Sequence, residues 1–164
     1  MSIEVRSVGV EQAGEVLRIM RMAFEEYRGR LVPPSGALSE TIEDVRGAIN
    51  GGGAFLAFAD DVIVGSARYR VFPDHAYAER VAVLPQHRGR RIAVALMAAF
   101  EDAVRTRQIP EARVGVRASL PSNLRFYENL GYRALASRAY PSGTDFDITL
   151  NKAIAARAAV EGQA

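Results

Sequence analysis

Val81-Ala82-Val83-Leu84-Pro85-Gln86-His87-Arg88-Gly89-Arg90-Arg91-Ile92-Ala93 carries the end of a β-type run, a short loop and the opening of a long helix. The run over residues 77–84 closes at Pro85. Residues 92–106 then place Leu96, Met97, Phe100 and Val104 on one side of a helix. A helix that opens directly after a strand offers free backbone N–H groups and the positive end of its dipole, a setting that holds phosphate. Arg88, Arg90 and Arg91 add side-chain charge suited to the same anion. A solvated arginine turn is the competing explanation, and the strand-to-helix position favours phosphate. The stretch lacks the lysine-serine/threonine ending of a P-loop. With Gly89 alone it also lacks the three glycines of a dinucleotide fingerprint.

Working outward, Ile3, Val5 and Val8 alternate with Glu4 and Arg6 as a first strand. Over residues 11–27, Val16, Leu17, Met20, Ala23, Phe24 and Tyr27 recur at helical spacing. Pro33, Pro34 and Gly36 make residues 28–38 irregular. Ser39 is the expected N-cap of a second helix, with Glu40, Glu43 and Asp44 in its first turn and a stop by Gly51. Residues 54–59 and 62–71 read as a hairpin around Asp60-Asp61. Beyond the central helix come a short strand at 114–116 and a helix from Pro121 to Gly131. A last strand carries Phe146, Ile148 and Leu150. The order is β-α-α-β-β-β-α-β-α-β, an α/β arrangement. One domain over residues 1–152 is expected, with an Ala-rich helical tail over 153–164.

Composition narrows the chemistry. At 164 residues, 49% of them hydrophobic and 24% charged, the chain can bury a core without disulfides or a metal. There is no cysteine, which excludes a thiolate metal site and an acyl-cysteine intermediate. With only His75 and His87, no metal is expected. A net charge of +2 gives no chain-wide affinity for polyanions, and neither a basic stripe nor an aromatic stacking platform supports nucleic-acid binding. No apolar run approaches the ~20 residues that span a bilayer, and Glu4 and Arg6 spoil a signal-peptide pattern. A cytoplasmic protein without a membrane partner is expected.

Arg88-Gly89-Arg90-Arg91-Ile92-Ala93 resembles the signature loop of the GNAT family of N-acetyltransferases, Gln/Arg-x-x-Gly-x-Gly/Ala. It matches at Arg88 and Ala93 and departs at Arg91, where the family usually has glycine. Either the arginine is strained in a positive-φ position, or its side chain adds a contact to the phosphates; the sequence favours the second. Downstream, Phe126-Tyr127, three residues and then Gly131-Tyr132 resemble the family's helix-to-strand segment. The family's asparagine seven residues before that tyrosine is Leu120 here, while Asn123 lies one helical turn before Tyr127. In element order the resemblance spans residues 3–152. It implies a single-domain GNAT-like fold, a mixed central sheet with helices on both faces. It also implies acetyl-CoA as co-substrate and a homodimer by analogy. Val81, Ala82 and Val83 would pair with pantetheine along a distorted strand, and Gly89, Arg90, Arg91, Ile92 and Ala93 with Arg88 would cradle the pyrophosphate. Asn123 would face the pantetheine.

Without cysteine, an amine must attack the thioester directly. The amine has to lose a proton, the oxyanion needs a donor, and the thiolate benefits from an acid. The resemblance assigns that acid to Tyr127; the alternative is a core aromatic beside Phe126, one of the two facing the cleft. Ideal alternation puts Glu79 on the face of Val81, making it a candidate proton acceptor, directly or through water. A surface charge or a pair with Arg80 carries equal weight. Tyr77 shares that face. His75 reads as a loop residue and His87 as decoration of the loop. Arg68, Arg70 and Arg117 lie along strands, either solvated or available to an acidic acceptor group. Residues 28–38, the second helix and residues 136–145 are expected to read the acceptor, a small-molecule or peptide amine. Tyr27, Arg28, Arg30 and Tyr140 are candidate contacts. A non-catalytic acyl-CoA sensor is the competing function.

Overall fold

The computed structural model describes residues 2–156. Seven strands form one mixed sheet: β1 (Ile3–Val8), β2 (Gly52–Ala59), β3 (Val62–Val71), β4 (Ala76–Val83), β5 (Glu111–Arg117), β6 (Arg133–Ala139) and β7 (Phe146–Ala153). They stand in the order β1-β2-β3-β4-β5-β7-β6. Only β4 and β5 run parallel; every other neighbouring pair is antiparallel.

Strand alternation divides the core between two faces. Ala54 and Leu56 of β2 bury against Ala13, Val16, Leu17 and Met20 of α1 (Ala13–Phe24) and Val45 and Ile49 of α2 (Ile42–Asn50). Phe55 and Ala57 point the other way, toward Leu96, Met97, Phe100 and Val104 of α3 (Ile92–Thr106). Fully burying side chains of this size stabilises by about 1.5–3 kcal/mol each. The fourth helix, α4 (Pro121–Asn129), starts with proline in its first turn as its sequence predicts.

Three expectations need correcting. The cap of α2 is Thr41, whose hydroxyl accepts from the Asp44 N–H while Asp44 accepts from the Thr41 N–H. Ser39 instead bonds to the Gly36 carbonyl and closes a short 3-10 turn. Strand β6 was not foreseen. All seven of its residues are exposed, so it carries no hydrophobic period to read, and it exists by pairing with β7. Residues 136–139, expected in a recognition loop, therefore belong to a strand. Finally, Ala153 ends β7 and the Ile154 N–H bonds to the Pro110 carbonyl, where a helix was expected to begin. Residues 157–164 of that tail lie outside the described residues.

Candidate active site

Between the pairs Ser66–Ala82 and Arg68–Glu79, β4 has one residue more than β3. The extra residue makes a bulge, and Arg80 takes φ +52 within it. An arginine in this left-handed region costs about 1–2 kcal/mol. The neighbouring side chains hold it there: the Arg80 Nε donates to Glu40 at 3.0 Å. The bulge turns β4 away from β5, and their pairing ends at Ala78–Val114. Past that point the β5-facing edge of residues 81–83 has no partner strand, leaving backbone groups for an extended ligand.

Two cavities flank this opening. One, of about 480 Å³, runs along Val81, Ala82 and Val83 to Gly89, Arg91 and Ile92. The other, of about 450 Å³, lies over β4, β5 and β7 beneath residues 31–36. They share a wall of Phe24, Tyr27, Val81, Asn123 and Tyr127. Asn123 thus sits at the seam, beside the Tyr27 hydroxyl.

At the loop end of the first cavity, Gly89 and Arg91 have φ +79 and +62. The first helical amide to bond back is that of Ala95, to the Arg91 carbonyl at 3.1 Å. The N–H groups of Ile92, Ala93 and Val94 precede any helical acceptor and are available to an anion. Arg91 therefore occupies the positive-φ position where the family usually has glycine, the alternative that the sequence disfavoured. Arg88 differs from expectation too. Its guanidinium donates to the Val83 carbonyl at 3.1 Å, to Glu26 at 2.6 Å and to the Ala23 carbonyl at 3.4 Å, tying α1 to the end of β4. Arg90 lies 3.3 Å from His87.

Phe126 and Tyr127 both line the first cavity; neither is simply a core residue. The residue fully withdrawn is Tyr132, whose hydroxyl donates to Glu101. The Tyr127 hydroxyl donates to no described residue, and burial pushes its pKa well above the ordinary tyrosine value. Glu79 is neither a free surface charge nor the partner of Arg80. Its Oε1 accepts from the Arg68 Nε at 2.9 Å and the Arg70 Nε at 3.2 Å. The bulge also breaks the alternation that would put Glu79 and Val81 on one face, although both line the second cavity. Arg68 is neither solvated nor open to an acceptor. At 2% exposure it is held by Glu40 and Glu79.

Tyr77 reaches across β5, where a methyl on Gly115 would overlap its hydroxyl. Burial, followed by the nearby Asp147 and Glu79 charges, raises its pKa to about 12. Tyr140 lines the second cavity, whereas Arg28, Arg30 and His75 line neither; His75 stacks on Phe72. The sequence reading put Glu40 only in the first turn of the second helix, whereas it lies just before α2, and did not single out Gly115 or Asp147. The roles of Glu40 and Gly115 come from contacts between segments distant in the chain, which no local motif records. Among the described residues no group of His, Asp and Glu is placed to hold a metal. No helix among them is long and apolar enough to cross a membrane.

A strand bulged open beside a strand-to-helix loop with free amides, and two cavities meeting at a tyrosine, is an arrangement in which an extended anionic ligand and a second molecule can meet. The profile of the Acetyltransferase (GNAT) family matches residues 16–132, and the chain belongs to that family of acetyltransferases. No curated protein sequence matches it. Among solved structures, the PaiA N-acetyltransferase of Thermoplasma acidophilum, in complex with coenzyme A, superposes with TM-score 0.75 at 21% identity, covering 91% of this chain and 98% of that one. Ard1 from Thermoplasma volcanium gives TM-score 0.76 at 18% identity, over 94% and 99% of the two chains. The ribosomal-protein-S18-alanine N-acetyltransferase of Escherichia coli gives 0.72 at 17%, over 98% of each. At these identities the likeness is one of fold.

Proposed function

We propose that this chain moves the acetyl group of acetyl-CoA directly onto a primary amine of a small molecule or peptide, both substrates being bound together. The observation that carries this reading is the shared wall: Val81 and Tyr127 border both cavities, so a thioester laid along residues 81–83 meets an amine entering from the second cavity. The open edge of β4 supplies backbone groups to the pantetheine arm and to the thioester carbonyl. The free amides at the start of α3 take the pyrophosphate, with Gly89, Arg90 and Arg91 around it. Asn123 orients the arm at the seam. Tyr127 keeps its proton at neutral pH and offers it to the departing thiolate. Glu79 accepts the amine's proton through water at Oε2, the oxygen that accepts no hydrogen bond from a described residue.

The test is amine-dependent release of thiol from acetyl-CoA across a panel of small amines and short peptides, beside direct measurement of CoA binding. Turnover with any amine supports transfer. CoA binding with no amine-dependent release across the panel would leave an acyl-CoA sensor.

A further inference from the structure

Four charged side chains line the second cavity: Glu79, Arg80, Arg117 and Asp147. Three already have hydrogen-bond partners. Glu79 is held by Arg68 and Arg70, and Arg80 by Glu40. Arg117 donates to the Pro34 carbonyl at 3.2 Å, lies 3.6 Å from Asp145 and sits 4.5 Å from the Tyr140 ring centre. Asp147 accepts no hydrogen bond from any described residue. It stands on β7 between Arg117 of β5 and Arg138 of β6, in register with both. Neither arginine approaches it as an ion pair, although both temper its charge from a distance. Around it the cavity is walled by tyrosines: Tyr27, Tyr77, Tyr127 and Tyr140.

A half-buried carboxylate without a donor is costly, and its natural complement is a cation; aromatic faces favour the same charge. Asp147 lines the second cavity only, whereas Val81 and Tyr127 line both, so the carboxylate stands off the wall where the two cavities meet. We propose that the acceptor carries a second, cationic group besides the amine it presents to the thioester, and that Asp147 receives this group at the floor of the cavity. The acceptor class is then a diamine, or a peptide with a basic side chain close to its reacting amine. This inference rests on the proposed acetyl transfer, because that reading makes the second cavity the acceptor side.

The experiment separates the two. CoA-loaded protein is titrated by calorimetry with straight-chain diamines from putrescine to octamethylenediamine, each beside the alkylamine and the ω-amino acid of equal length. Thiol release from acetyl-CoA is measured with the same compounds. At the best length the diamine should bind about tenfold or more tightly than the alkylamine, as one charge-assisted contact implies, and the amino acid should bind worst. Asp147→Asn should remove the diamine's advantage, raising its KM with little change in kcat, while alkylamine binding stays put. Asp147→Lys should turn the preference toward the amino acid, an inversion that a purely structural aspartate would not produce. Diamines binding no better than alkylamines at every length, or an advantage surviving in Asp147→Asn, overturns the inference even if acetylation proceeds. Asp147-dependent diamine binding without any thiol release upholds Asp147 as a cation site but overturns the transfer reading, and with it the acceptor class.

Discussion

Glu40 receives the Arg68 guanidinium on both oxygens, at 2.6 and 2.7 Å, across 28 residues of sequence. The same carboxylate takes the Arg80 Nε, so one side chain joins the segment before α2, the buried centre of β3 and the bulge of β4. Burial disfavours its charge, but the two guanidiniums outweigh that and hold its pKa below the ordinary glutamate value. Removing Glu40 leaves Arg68 with Glu79 alone and Arg80 without its partner, at a cost of about 3 kcal/mol, the low end for breaking a buried pair. Glu40→Gln should lose that much in chemical denaturation. It should also raise the amine KM, since the bulge and the roof of the second cavity loosen together. A depressed carboxylate pKa contributes stability above the unfolded value. The Glu40 contribution is therefore complete at neutral pH and fades as pH falls from ~4.5 through the folded pKa. Wild type and Glu40→Gln should accordingly converge in stability toward acid.

Arg91 sits at φ +62, and the position calls for the conformational freedom of glycine. Arg91→Gly relieves a left-handed arginine worth about 1–2 kcal/mol and gives back part of this through a more flexible unfolded chain. A net gain of about 0.5–1 kcal/mol is expected, read as a raised melting temperature. CoA affinity should fall only modestly if, as proposed, the free backbone N–H groups at the start of α3 hold the pyrophosphate. A complete loss of CoA binding would make the Arg91 side chain the principal phosphate ligand.

The parts legible in the sequence were those written by local patterns. The amphipathic periods of α1 and α3, the Asp60-Asp61 hairpin and the loop at 88–93 each announce themselves within a few residues. What escaped depends on pairing across the fold. Strand β6 buries neither face, so no period marks it. The bulge at Arg80 exists only relative to β3, and ideal alternation misplaced Glu79 for that reason. Arg88 looked like a phosphate ligand from its place in the loop; its partners Glu26 and Ala23 lie more than sixty positions away.

Gly115 leaves the space that the Tyr77 hydroxyl occupies. Gly115→Ala must push the ring off β5 and into the second cavity. On the proposed function, the expected result is a rise in amine KM of about tenfold with CoA affinity unchanged, since Tyr77 does not line the first cavity. Gly115→Ala paired with Tyr77→Ala should cost less stability than the two changes add up to separately, because the clash then has no second party.

Asp147 has its pKa raised by burial, against the lowering influence of Arg138 and Arg117. A raised carboxylate pKa means that the folded state holds the proton longer than the unfolded chain. Its contribution to stability is present at low pH and is lost as pH rises from ~4 through the folded pKa. Asp147→Asn removes the charge, so the variant should gain on wild type in melting temperature between pH 4 and 7. A constant difference over that window would show that the carboxylate is not desolvated.

Tyr127 borders both cavities, and its hydroxyl has no hydrogen bond to a described residue, so its removal should leave packing intact. Its ring meets Phe126 and Tyr132 edge-on, contacts that phenylalanine preserves. Tyr127→Phe should therefore keep its melting temperature and its CoA affinity. Turnover is another matter. A thiol with a pKa of roughly 8.5, by analogy with cysteine, is a moderately basic leaving group, so an acid helps without being indispensable. A loss in kcat of about 10²-fold is expected, at the lower end of general-acid effects. Because burial raises the tyrosine pKa above its ordinary value near 10, the proton stays in place throughout the neutral range. The wild-type rate should therefore show no alkaline decline from this group below ~pH 10. Two measurements on the variant decide the role. Lost stability with turnover preserved in the folded fraction would make the hydroxyl structural, and full kcat in a well-folded Tyr127→Phe would take the acid role away from this residue.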